Sequence, residues 1–176
     1  MTSRNPHKPR ERAVVHAIGP HAGRRLPGGT CMRAEVIRST GLIECVVTPE
    51  MCATLDGVAI HPVYSTFWLS YHAEVAARRA IEEFFDEGED AVGGELCIRH
   101  EGMCAVGDRV RVVARVREVR ERRITCDIEA FSSTRRIATG HQVQIVLPRT
   151  RIDALVREAY MQRPSEDATE PEEPGP

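Results

Sequence analysis

Residues 63–85 read VYSTFWLSYHAEVAARRAIEEFF, and the fold turns on this stretch. From Leu69, apolar residues return at Ala73, Ala76, Ala77, Ala80, Ile81 and Phe84, the i, i+3, i+4 spacing of one helical face. Arg78, Arg79, Glu82 and Glu83 fall on the other side, so the helix packs by one face and wets the other. The spacing predicts one long helix over Val63–Phe85, with the polar residues Thr66, His72 and Glu74 near its beginning.

Downstream the period changes to two. Arg109–Val119 sets Val110, Val112, Ala114 and Val116 against Arg109, Arg111, Arg115 and Arg117. Arg122–Phe131 sets Ile124, Cys126, Ile128 and Ala130 against Thr125, Asp127 and Glu129. With Glu95–His100 and Ile137–Leu147 these are strands covered on one face, and the short turns between them predict an antiparallel meander. Asp86–Asp90 reads as an acidic turn. Upstream, Ala34–Ile37 and Leu42–Val47 are strand-like. Thr48-Pro49 predicts a capped helical turn over Glu50–Leu55, broken by Asp56-Gly57, and Val58–Pro62 reads as an irregular connection. Ile152–Tyr160 predicts a short terminal helix.

A chain of 176 residues with ordinary apolar and charged fractions accommodates one domain with tails. Residues 1–32 form a basic arm expected to be disordered, residues 33–150 the domain, and residues 151–176 a short helix followed by an acidic, Pro-rich disordered tail. A net charge of −2 offers nothing to nucleic acid or an anionic membrane, and no apolar run reaches the ~20 residues of a membrane span. The N-terminus has no apolar signal core, so a cytoplasmic protein is expected, with its six cysteines reduced. No Cys or His spacing predicts a metal site.

A long helix laid on an antiparallel meander is the plan of an α+β hotdog fold, and particular residues narrow it. Val63-Tyr64-Ser65-Thr66, Glu74 eight residues beyond Thr66, and Cys97-Ile98-Arg99-His100 resemble the fluoroacetyl-CoA thioesterase family of hotdog proteins. Gly93-Gly94, matching the family's small glycine-containing turn before the His strand, fits as well, as do Val106-Gly107, the Glu121–Ile124 hairpin region and Gly140, over roughly residues 33–150. The resemblance implies a catalytic set of Thr66, Glu74 and His100. It also implies an acyl pocket near Ile60, Phe67, Gly93 and Gly94, with Ile60 standing where the family carries an aromatic lid residue. It implies hydrolysis of a small or medium acyl-CoA, no cofactor beyond the coenzyme A of the substrate, and a homodimer with sites between subunits.

Thioester hydrolysis needs an activated nucleophile, a proton donor for the thiolate and an oxyanion site. An imidazole such as His100 exchanges protons near neutral pH. Glu74 is a base, a nucleophile or an orienting group; Thr66 positions water or attacks itself. The sequence leaves these alternatives open. The N–H groups at the helix start are candidate oxyanion donors. Taken singly, each residue has a plainer role: Glu74 as a solvated helix residue, Thr66 as an N-cap, His100 as a structural histidine. The joint spacing selects them. His72 ranks second, because residues two apart on a helix point apart, and His141 is read as packing or pocket lining. The aromatic group Tyr64, Phe67, Trp68 and Tyr71 fits an acyl pocket or a subunit contact. Arg135, Arg136 and Arg149 are candidates for the phosphates of coenzyme A. The rival readings are a hotdog hydratase or dehydratase on acyl thioesters, and a non-catalytic acyl-CoA-binding module.

Overall fold

The computed structural model describes residues 34–163, the side chain of Ala34 excepted. The basic arm, the acidic tail and Cys31 lie outside the described residues. Five antiparallel strands form the main sheet in the order β1-β5-β6-β7-β4: β1 Thr40–Val46, β4 Glu89–His100, β5 Arg109–Arg120, β6 Arg123–Phe131 and β7 Arg136–Pro148. A separate hairpin pairs β2 (Cys52–Leu55) with β3 (Val58–Tyr64). One helix, α1 (Thr66–Ile81), packs on the sheet, and α2 (Arg149–Met161) closes the described chain. This is the hotdog arrangement expected from the helix and the meander.

The alternation in β5 and β6 is the reason for the layering. Val110, Val112, Ala114, Val116, Ile124, Cys126, Ile128 and Ala130 are all buried facing α1, while the arginines of β5 stay in water. From α1 the predicted face is delivered: Leu69, Ala73, Ala76, Ala77, Ala80 and Ile81 are buried, with Phe84 packed at the margin. Leu69 and Ile81 each contribute about 1.5–3 kcal/mol by leaving water. The run of alanines does a different job, letting the helix axis approach the sheet. At Gly41 on β1 the approach is complete, since a Cβ there would stand 2.0 Å from the Ala76 carbonyl oxygen.

Upstream of α1 several expectations are corrected. Ala34–Ile37 is not a strand: Ala34–Val36 is a single 3₁₀ turn, and Arg38 at φ 75° turns the chain into β1. Only Pro49–Met51 of the predicted helical turn is helical, and the Thr48 hydroxyl caps nothing. Cys52–Leu55 is extended instead, because Asp56 and Gly57, at φ 50° and 76°, form the two-residue turn of a β-hairpin. Val58–Pro62 is accordingly strand, and Pro62 is tolerated on so short an outlying ribbon.

The helix is shorter than the periodicity suggests. Val63 and Tyr64 end β3, and Glu82–Phe84 tightens into a 3₁₀ turn. Beyond it, β4 starts at Glu89, so Gly93 and Gly94 lie within a strand and not in a turn before one. A register shift between Gly93 and Glu95 makes Gly94 a bulge, the step that keeps a long strand curling around a helix.

Candidate active site

Ser65, not Thr66, caps α1: its side chain accepts from the Trp68 N–H at 3.2 Å. The Thr66 hydroxyl is therefore free for another partner, and its Oγ1 lies 3.0 Å from Nδ1 of His100, the last residue of β4. His100 faces the helix because it pairs with Ala138, on the inward row of β7. Its Nε2 is buried and has no hydrogen-bond partner among the described residues. The Ser65 N–H donates to the Met51 carbonyl. Among the described residues this leaves the N–H groups of Thr66 and Phe67 as the uncommitted donors of the first turn.

Glu74 does not join that pair within one chain. Eight residues separate it from Thr66 on α1, a rise of about 12 Å. Its half-buried carboxylate instead accepts from the side-chain amides of Gln142 at 3.0 Å and Gln144 at 3.2 Å. Both glutamines are buried, and Gln142 Oε1 has no partner among the described residues. Gly93 completes the cradle. A Cβ on it would stand 2.6 Å from Glu74 Oε1, so only glycine leaves the carboxylate where it is. Gly94 lies one residue further at the bulge, against the Ile145 side chain.

Phe67 and Ile60, the other expected pocket residues, are both exposed. Phe67, 73% exposed, stands edge-on to Trp68 beside Thr66. Ile60 is exposed on the β2–β3 hairpin. His72 is wholly buried, with Nδ1 2.6 Å from the Tyr64 hydroxyl, and belongs to the core beneath the helix start. His141 sits on the opposite face of the sheet, 2.9 Å from Glu95. That hydrogen bond, with Arg123 beside it, holds the Glu95 carboxyl below the ordinary carboxylate range. Gln142 and Gln144 escaped the sequence reading, although two amides at alternate inward positions of β7 are the kind of signal that marks a buried polar site.

Thiol chemistry is not offered by the buried cysteines. Burial, and then the neighbouring Asp127, pushes the Cys126 thiol up to about 12. Burial raises Cys104 too, with Asp108 adding to it, so both remain protonated at neutral pH. Cys52, Cys97, Cys104 and Cys126 are free thiols, and among the described residues no group of three His, Cys, Asp or Glu is arranged to hold a metal ion. No helix among them is long and apolar enough to cross a membrane.

Solved structures place this geometry in a class. A Thermus thermophilus thioesterase-superfamily member superposes with a TM-score of 0.69 at 34% identity, over 72% of this chain and 93% of its own. A hot-dog-like protein from Thermanaerovibrio acidaminovorans, 19% identical, matches with a TM-score of 0.66 over 73% of this chain and 97% of its own. The class is thus the hotdog thioesterases. More narrowly, residues 47–150 match the family of the fluoroacetyl-CoA-specific thioesterase FlK, and the chain belongs to that family, which makes it a thioester hydrolase. The fluoroacetyl-CoA thioesterase of Streptantibioticus cattleyicolor is 27% identical over 96 residues, 54% of this chain and 69% of that protein. The solved structure of FlK, 22% identical, shares the fold with a TM-score of 0.65 over 73% of this chain and 97% of its own.

Proposed function

We propose that the protein hydrolyses a small or medium acyl-CoA to the free acid and coenzyme A, as a homodimer whose site combines Thr66 and His100 of one subunit with Glu74 of the other. The contact between the Thr66 hydroxyl and the His100 imidazole carries this reading. An imidazole with an unprotonated Nδ1 draws the hydroxyl's hydrogen and can take a proton from it, or from a water it holds. The oxygen so activated adds to the thioester carbonyl, whose oxyanion is met by the Thr66 and Phe67 N–H groups at the positive end of α1. The C–S bond then breaks, and the proton held on His100 goes to the departing thiolate. Where the attacking oxygen is water's, this gives the free acid directly. Where it is Thr66's, a water deprotonated by the same imidazole then cleaves the acyl-threonine ester, releasing the acid and returning the hydroxyl's proton.

The edge position of β4 supports the dimer. It is the last strand of the sheet, and Val92, Gly93, Gly94, Glu95, Leu96 and Cys97 are exposed along it. An open edge of that length invites a second copy. A two-fold axis across β4 runs the two helices antiparallel, which sets the start of one α1 beside the later turns of the other. The offset of about 12 Å between Thr66 and Glu74 on one helix is then bridged between subunits. Glu74, held by two amides and relieved of a Cβ at Gly93, supplies a fixed carboxylate as base for water or as orienting group. The free thiols fit the reducing conditions of the cytoplasm.

The test is a panel of acyl-CoAs followed with a thiol-detecting reagent. Free coenzyme A should appear with the wild type and be lost in Glu74→Gln and His100→Ala. Binding without release would favour a non-catalytic module. Consumption of an enoyl thioester with no thiol released would favour a hydratase.

A further inference from the structure

Four arginines collect on the solvent face of the sheet, at the end of the domain that carries His100. Arg109 and Arg111 come from the start of β5, Arg135 and Arg136 from the junction into β7, and they border an open depression of about 370 Å³. Arg136 is neutralised, with Glu101 and Glu129 both at 3.6 Å. Arg109, Arg111 and Arg135 have no carboxylate in ion-pair range among the described residues. Three guanidinium groups outside any ion pair, against the single carboxylate of Glu44 opposite Arg111, leave the hollow net positive and raise the local concentration of anions.

The surroundings narrow the anion. The Arg111 guanidinium lies over the Phe131 ring, 5.4 Å from its centre, which holds the planar fork in place on the lining of the hollow. The turn that forms one wall is itself tied down. Ser132 Oγ accepts from the N–H groups of Thr134 and Arg135, and Ser133 donates to Asp108 at 2.6 Å. Glu44 is the one carboxylate on the lining. It repels a bare phosphate but accepts from a ribose hydroxyl or a purine amine. Arg135 also connects the hollow to the candidate active site. Its guanidinium carbon would be 3.3 Å from a Cβ on Gly102, two residues past His100.

We propose that this depression binds phosphorylated adenosine, the nucleotide end of coenzyme A, with its phosphates on Arg109, Arg111 and Arg135 and its hydroxyl or amine donors on Glu44. Planar guanidinium forks match phosphate oxygens two at a time. The adenine packs on the Arg111 guanidinium that covers Phe131, and the thioester arm passes the rim at Gly102 towards His100. The assignment rests on the acyl-CoA reading above, and a free phosphoadenosine presents the same chemistry.

Two substrates separate the possibilities on the full chain: acetyl-CoA, and acetyl-pantetheine, which has the same thioester without the nucleotide. Arg111→Ala and Arg135→Ala should each raise KM for acetyl-CoA about tenfold, the scale of a lost charge-assisted hydrogen bond, with kcat held. The constants for acetyl-pantetheine should not move, which a general structural defect would not allow. Hydrolysis of both substrates with KM for acetyl-CoA unchanged in both variants overturns the proposal and leaves the thioesterase intact. If neither substrate is hydrolysed, calorimetric titration with adenosine 3′,5′-bisphosphate decides. Binding to the wild type that Arg111→Ala abolishes supports a site for the free nucleotide; no binding to the wild type overturns it.

Discussion

The hydroxyl of Thr66 and the Nδ1 of His100 stand 3.0 Å apart across 34 positions of sequence, one at the start of the central helix and the other at the end of an edge strand. Two neighbours make the contact possible. Ser65 takes over the capping of α1, and Ala138 opposite His100 keeps the imidazole on the helix side of the sheet. Thr66→Ala and His100→Ala should each lower kcat by about 10²–10⁴-fold, the range of a lost proton-transfer partner. Their combination should cost little more than either alone, because the two act as a unit. Steady-state kinetics on the three variants checks this; independent, multiplying losses would show that the pair does not act together.

Gly93 separates a positional role for Glu74 from a merely charged one. Alanine there places a methyl 2.6 Å from Glu74 Oε1, and a carboxylate at the end of a flexible side chain yields before the strand does. Gly93→Ala should fold with a nearly unchanged urea midpoint and lose about 10²-fold in kcat, as displaced catalytic groups do. Full activity in this variant would mean that the position of Glu74 is immaterial.

Gly41 is the opposite case. Its added Cβ would meet the Ala76 carbonyl oxygen at 2.0 Å and the Ala80 nitrogen at 2.6 Å, both backbone atoms that cannot swing aside. Gly41→Ala should lower stability by about 3 kcal/mol through overpacking. Urea unfolding checks it, and an unchanged midpoint would mean that α1 lies further from β1 than described.

The C-terminal half of α1 is tied to β4 by a charge whose effect depends on pH. Burial works against ionising Asp90, but the Ala91 N–H and the Arg78 guanidinium outweigh it and hold the carboxyl below the ordinary range. A lowered folded value means stability that is present above the unfolded carboxylate pKa, and lost as pH falls through the folded one. Asp90→Asn should therefore be about 0.5 kcal/mol less stable than the wild type near pH 7, the scale of a partly exposed pair. The gap should close as pH falls through the lowered folded value and the wild-type carboxyl is protonated as well. Urea melts from neutral into acidic pH check it; a gap that persists in acid would assign the loss to packing.

Periodicity carried most of the architecture. The meander and the buried face of α1 are where the residues of β5, β6 and the helix put them, because those segments alternate or repeat over many residues. The upstream hairpin was hidden because Asp56-Gly57 breaks a helix and turns a hairpin equally well, and Cys52–Leu55 is too short to show a period. In β4 two adjacent glycines imitate a turn, and only tertiary packing shows them relieving Glu74 and forming a bulge. At the site, Thr66, Glu74 and His100 were legible only as a spacing. That Thr66 meets His100 while Glu74 turns to Gln142 and Gln144 follows from strand order, which no local pattern encodes.

That division leads to the most direct test of a site shared between subunits. Glu74→Gln and His100→Ala homodimers, each nearly inactive, are mixed, exchanged through mild denaturant and assayed for thiol release from acyl-CoA. In a shared site, half of the reassorted dimers are mixed and each holds one intact site, so about a quarter of wild-type activity should return. A mixture that stays as inactive as its parents, from an exchange shown to be complete, would contradict a site built from Thr66 and His100 of one subunit and Glu74 of the other.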